Sequence, residues 1–169
     1  MYERRQPSQL HPILLERKSL RAVLQRVKSA SVQVDQKTVG KISEGWLVYL
    51  GLCPEDREKD RDYITDKILN TRSFRDSEGK LNLSVSDIGG EILIVSQFTL
   101  YGDCRKGRRP SFSSASPIDL AKSQYEDFLA NLKTTTNLTI ESGTFQASME
   151  VSLINDGPVT LLLDSQRNF

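Results

Sequence analysis

The stretch EILIVSQFTL, residues 91–100, carries the most fold information in the chain. Ile92, Leu93, Ile94 and Val95 form an unbroken β-branched and aliphatic run. Such a run reads as a strand covered on both faces, near the centre of a sheet. Gly89-Gly90 breaks the chain before it, and polar Ser96 and Gln97 follow at once. A buried strand that ends on polar residues places side chains at an open rim, where ligand sites gather.

Upstream, residues 20–52 read as β. Val32 and Val34 alternate with polar neighbours, Gln36-Lys37 reads as a turn, TVGKIS resumes a strand, and WLVYLGL is a second buried run. Residues 55–72 are highly charged, with Tyr63, Ile64, Ile68 and Leu69 at helical spacing, which predicts a surface helix with one buried stripe. Residues 73–90 are turn-rich, with short strands around Phe74 and from Leu81 to Val85. Downstream, residues 101–115 read as a loop. Ser116-Pro117 predicts a helix start, with Ser116 as cap and Pro117 in the first turn. Ala121, Tyr125, Phe128, Leu129 and Leu132 continue it as an apolar stripe. LTIES, ASMEVSLI and VTLLLD are three further strand candidates. The expected fold is α+β: a largely antiparallel, barrel-like sheet with two covering helices.

The chain has 169 residues, enough for one domain with a core, and a formal net charge of +1. Bulk charge does not demand a nucleic-acid partner, so such a partner has to be met by a local patch. Cys53 and Cys104 form no CxxC pair, which fits a reduced compartment. No apolar run approaches the roughly 18 residues of a membrane span. Residues 1–19 lack the apolar core of a secretory signal and read as a poorly ordered extension, with a single patterned domain over 20–169. The single histidine, His11, lies in that extension. The domain therefore has no imidazole for a Ser-His-Asp arrangement or a histidine metal cluster, and neither metal nor cofactor is expected.

Four sets of residues are candidates for chemistry. Ser96 and Thr99 read either as nucleophiles or as hydroxyls that satisfy backbone groups at a strand end. Gln97 and nearby amides suit a carbonyl or oxyanion, and Phe98 reads as core or as an aromatic platform. Arg105, Lys106, Arg108 and Arg109 surround Gly107 and precede Pro110-Ser111-Phe112. This is a solvated loop, or a phosphate-binding one with a ring at hand. Arg26 reads by default as a surface strand position, with a fork that holds carbonyls or a carboxylate as the alternative. In SLINDGPVTLLLDS, residues 152–165, Asn155-Asp156-Gly157 predicts a hairpin turn between two strands. The sequence alone favours a trans bond before Pro158.

RAVLQRV, ILIVSQFTL, RRPSF and VSLINDGPVT, in that order and spacing, resemble the D-aminoacyl-tRNA deacylase family across residues 20–164. The resemblance implies hydrolysis of the ester between a D-amino acid and the terminal adenosine of tRNA, and removal of glycine from mischarged tRNA. It implies a cytoplasmic homodimer in which a cis Gly157-Pro158 pair enters the partner's pocket and rejects L side chains. Arg26 would brace the Gly-Pro carbonyls. Ser96, Gln97, Phe98 and Thr99 would form the catalytic rim, with Phe98 on the adenosine and Gln97 at the scissile carbonyl. The chemistry would use the 2′-hydroxyl of the terminal ribose, leaving Thr99 a positioning role. Phe145 and Met149 fall where that family lines its adenosine pocket. A sister branch with a trans Gly-Pro pair, active on L-alanine esters, departs from SQFT, so the intact SQFTL implies the D-specific branch. The rivals are a non-catalytic, dimeric RNA-binding module and a hydrolase that uses Thr99 or Ser96 covalently.

Overall fold

A computed structural model describes residues 18–168; the extension expected over residues 1–19 falls almost wholly outside them. The chain runs β1 (Arg21–Val34), β2 (Lys37–Ile42), β3 (Gly45–Gly51), α1 (Glu58–Asn70), β4 (Phe74–Arg75), β5 (Leu81–Leu83), β6 (Glu91–Ser96), a 3-10 turn (Phe98–Tyr101), α2 (Ile118–Thr135), β7 (Ile140–Ser142) and β8 (Glu150–Asp164). The main sheet has the order β2-β1-β3-β6-β7, with β8 on the other edge of β1. Pairings of β1 with β2, β3 and β8 are antiparallel, whereas β3–β6 and β6–β7 are parallel.

Strand β1 organises the sheet. Its first half pairs with β3 and its second with β2, while β8 follows nearly its whole length on the opposite edge. The two ends of the main order then meet. A Cβ on Gly40 of β2 would lie 2.8 Å from the Ser142 carbonyl oxygen of β7, so only glycine allows this approach. The sheet is thus an almost closed barrel.

The apolar run of β6 is buried on both faces, as its composition predicts. Ile92 and Ile94 join Leu24, Trp46, Val48, Ile64, Ile68, Phe128 and Leu132 in a cluster that includes residues of both helices. Leu93 and Val95 face Val27, Val32, Ile42 and Leu47 in a second cluster. Each such fully buried side chain stabilises the fold by about 1.5–3 kcal/mol. In α1 the Asp60 carboxylate, at the third helical position, accepts from the Arg57 amide at 3.0 Å and closes the N-terminus.

Three expectations need correction. First, the NDGP segment does not join a hairpin. Residues on both sides of it pair with β1, at Val27↔Asn155 and Gln25↔Thr160, so residues 156–159 stand off the ladder opposite Arg26. The Asn155 side chain closes this bulge, donating to Arg26 O at 2.9 Å and Val159 O at 3.0 Å. Second, α2 is preceded by Pro117 as its cap, and the Ser116 hydroxyl donates to Gln124 Oε1 at 2.7 Å. Third, the β1–β2 turn falls one residue earlier, on Asp35 and Gln36, both with positive φ, which suits the twist of a tight hairpin.

Candidate active site

The site begins where β6 stops. The Gln97 amide donates to Leu50 O at 2.8 Å, and the backbone then coils into the 3-10 turn. Buried Tyr101 anchors that turn, its hydroxyl set between the Ser19 and Gly51 carbonyls at 2.6 and 2.9 Å. With Tyr101 held inside, Phe98 at the other end of the turn is pushed outward and is 59% exposed. The amides of Phe98 and Thr99 donate to no protein acceptor among the described residues, as the first amides of a helical turn do. These two are the free backbone donors of the turn among the described residues, since the Gln97 amide is taken up by Leu50.

Beside the turn lies a cavity of about 650 Å³, large enough for a nucleoside with its ester. Ser96, Gln97 and Phe98 line one side. Phe112, Ser113, Ser116, Ile118 and Ala121 line another, and Phe145, Gln146 and Met149 a third. Phe98 and Phe112 meet edge to face, with ring centroids 5.1 Å apart. Phe145 packs on Tyr125, whose hydroxyl donates to Ile94 O at 2.9 Å. Among the described residues no ionisable side chain lines this cavity. Its polar groups are hydroxyls and amides.

Sequence-based candidates divide into three places. Ser96, Gln97, Phe98, Phe145 and Met149 share the cavity. Thr99 is exposed beside it rather than in its lining, and its hydroxyl takes a hydrogen bond from the Gln97 side-chain amide. Arg26, Gly157 and Pro158 lie apart from this chain's cavity, at the β8 bulge. The default surface reading of Arg26 is wrong, since it is 2% exposed. Its fork donates to Ser73 O and its Nε lies 3.0 Å from an Asp156 carboxylate oxygen, the alternative reading. The Gly157–Pro158 bond is cis. Gly157 has φ 119°, and a Cβ there would lie 2.9 Å from Arg26 Nη2.

The basic loop forms a third place at the cavity's edge. Asp103 and Ser111 bridge its two ends through backbone hydrogen bonds of 2.8 and 3.0 Å. Arg105 folds back onto Asp103, and its hydrogen bonds hold that carboxyl well below the usual carboxylate range. Arg108 and Arg109 are exposed and enter no ion pair among the described residues. Sequence reasoning did not place Ser113, Ser116, Ile118 or Gln146 at the site. For Ile118 a signal existed: it extends the α2 stripe one turn upstream, yet it is 57% exposed.

Comparison with known proteins gives this arrangement its context. Residues 23–164 match the family model described as D-Tyr-tRNA(Tyr) deacylase. The D-aminoacyl-tRNA deacylase of Thermosipho africanus is 59% identical over 150 residues, spanning 89% of this chain and all of that protein. The one from Clostridioides difficile is 55% identical over the same coverage. Among solved structures, the c-Myc DNA Unwinding Element Binding Protein superposes with a TM-score of 0.81 at 43% identity, covering 85% of this chain and 97% of that one. A probable eukaryotic D-amino acid tRNA deacylase shares the fold with a TM-score of 0.72 at 21% identity, covering 86% and 99%. The family match and these relatives put the chain in a class of ester hydrolases that edit aminoacyl-tRNA. The chain belongs to the D-Tyr-tRNA(Tyr) deacylase family.

Proposed function

We propose that residues 20–169 act as one catalytic domain that hydrolyses the ester of D-aminoacyl-tRNA, and of glycine on a mischarged tRNA, to free amino acid and tRNA. The observation that carries this reading beyond family membership is a cavity that no ionisable side chain lines among the described residues. Among the described residues of one chain no side chain there can serve as general base, which supports a proton-handling group that comes with the substrate. The ribose 2′-hydroxyl next to the ester is that group. It orients a water whose oxygen bonds to the carbonyl carbon, while the bond from that carbon to the 3′ oxygen breaks. The water's protons pass to the leaving 3′ oxygen and to solvent. The free amides of Phe98 and Thr99 hold the developing oxyanion, Gln97 positions the carbonyl, and Phe98, Phe145 and Met149 take the adenosine. Thr99 positions Gln97.

Selection against L esters is assigned to Gly157-Pro158 of a second copy of the chain, because in one chain the pair stands away from the cavity. The outer edge of β8, unpaired among the described residues and with Ile154 and Leu162 57% and 58% exposed, supports a homodimer through this face. Backbone carbonyls there form a wall with no side chain, so discrimination comes from excluding the L form. A cytoplasmic location fits this role.

The test is a time course on D-Tyr-tRNA and L-Tyr-tRNA, with a 2′-deoxy D ester as third substrate. Loss of the D ester alone is expected. Cleavage of the 2′-deoxy ester at the normal rate would overturn the substrate-assisted step and favour a covalent role for Thr99 or Ser96. A second reading, binding without turnover, is favoured by the relative named as a DNA unwinding element binding protein. It predicts affinity for uncharged RNA and no ester loss.

A further inference from the structure

We propose that Phe112 forms a second nucleotide subsite, which takes the base immediately 5′ of the aminoacylated terminal nucleotide. The proposal rests on the aminoacyl-tRNA reading above. Phe112 follows the basic loop directly and also lines the cavity, so it stands between the cations and the rim. It is 38% exposed, which leaves ring surface open to a ligand. Its ring lies at 69° to that of Phe98. Two rings at that angle present faces in different directions and so suit two successive bases, whereas one platform takes one. Single-stranded RNA ends are read in this way, one base per aromatic face with cations along the backbone.

The ring is held by backbone. A Cβ on Gly102 would lie 3.1 Å from Phe112 Cε1 and 3.0 Å from Thr99 O, so Phe112 rests on the residue that closes the Phe98 turn. The Asp103↔Ser111 bridge fixes the chain just before it, and the Ala115 amide donates to Phe112 O at 3.1 Å. Arg108 and Arg109, exposed four and three residues before the ring, are placed to meet the phosphate that links the two nucleotides.

The experiment compares kcat/KM for two short esters, D-tyrosyl-adenosine and D-tyrosyl-cytidylyl-adenosine, with wild type, Phe112→Leu and Phe112→Tyr. The ratio of dinucleotide to nucleoside ester is the readout, because a variant that folds incompletely lowers both terms alike. Stacking of one base predicts a ratio of about ten in wild type. Phe112→Leu keeps apolar volume and is expected to bring the ratio to about two or below, while Phe112→Tyr keeps it. A wild-type ratio near one, or a ratio unchanged in Phe112→Leu, overturns the subsite while the hydrolase reading stands. Cleavage of neither ester by wild type, with D-Tyr-tRNA also intact, overturns the hydrolase reading and the subsite with it.

Discussion

Asp56 shows how one half-buried carboxylate sets a pH response outside the site. It accepts hydrogen bonds from the Cys53 amide at 2.8 Å and the Cys53 thiol at 3.0 Å. Burial pushes its pKa up to about 6 despite those bonds, and burial also raises that of the thiol. The folded value lies above the unfolded one, so the folded state holds the proton more tightly between about pH 4 and pH 6. Its contribution is favourable below pH 4 and is lost as pH rises through 6. Asp56→Asn, which can still accept from the Cys53 amide, is therefore expected to gain on wild type by about 1–2 kcal/mol between pH 4.5 and pH 7, partial exposure being allowed for. Paired urea melts at the two pH values check this, and an equal difference at both would refute it. Arg26 carries a second lesson at this scale. Ala22, Leu24 and Arg26 share the inward face of β1 by simple alternation, and all three are buried. That parity was readable. The usual preference of an arginine for water concealed it, because the acceptors Ser73 and Asp156 lie 47 and 130 positions away in sequence.

At the scale of elements, periodicity found both helices and most strands, since each is written in local spacing. It failed at the NDGP segment. Asn-Asp-Gly has the same turn chemistry in a hairpin and in a bulge. What distinguishes them is the length of β1, whose 14 residues offer β8 a partner on both sides of the segment. The candidate site was legible in the same proportion. Ser96, Gln97 and Phe98 follow a recognisable strand end, whereas the wall formed by Gln146 and Ser113 depends on how distant loops meet. The basic loop yields a prediction of its own. Replacing Arg108 and Arg109 with Ala should weaken binding of uncharged tRNA at low salt and reduce the salt slope of log affinity by about 1–2, close to one for each phosphate no longer neutralised. Filter binding across a salt series measures it, and an unaltered slope would make the loop a bystander.

For the whole molecule, barrel closure rests on the contact between Gly40 and Ser142. Gly40→Val is expected to cost about 1–3 kcal/mol, because the neighbour is backbone and cannot turn aside. It should also lower deacylation, since β7 leads into the segment that carries Phe145 and Met149. A denaturation midpoint equal to wild type would show that the ends of the sheet are free to part. The cavity sets the second expectation at this scale. With no titratable side chain among the described residues of its lining, kcat/KM should follow only the substrate's own α-amino group, whose ordinary pKa is about 7.7–8.0, and a second ionisation between about pH 5.5 and 8.5 that the free substrate does not show would contradict the assignment.

The bulge in β8 also bears on what the outer edge of the sheet can recruit. A strand of 15 residues with one free edge is a template for uncontrolled growth, copy upon copy. Here the template is cut in two. Residues 156–159 leave the ladder, and Pro158 has no amide to offer. An incoming strand meets two short runs out of line with each other, which only a surface of matching outline satisfies. The bulge that carries the Gly157-Pro158 pair assigned to judge the substrate thereby restricts which chain can dock beside it, and protects the protein from fibrous self-association when the edge is bare.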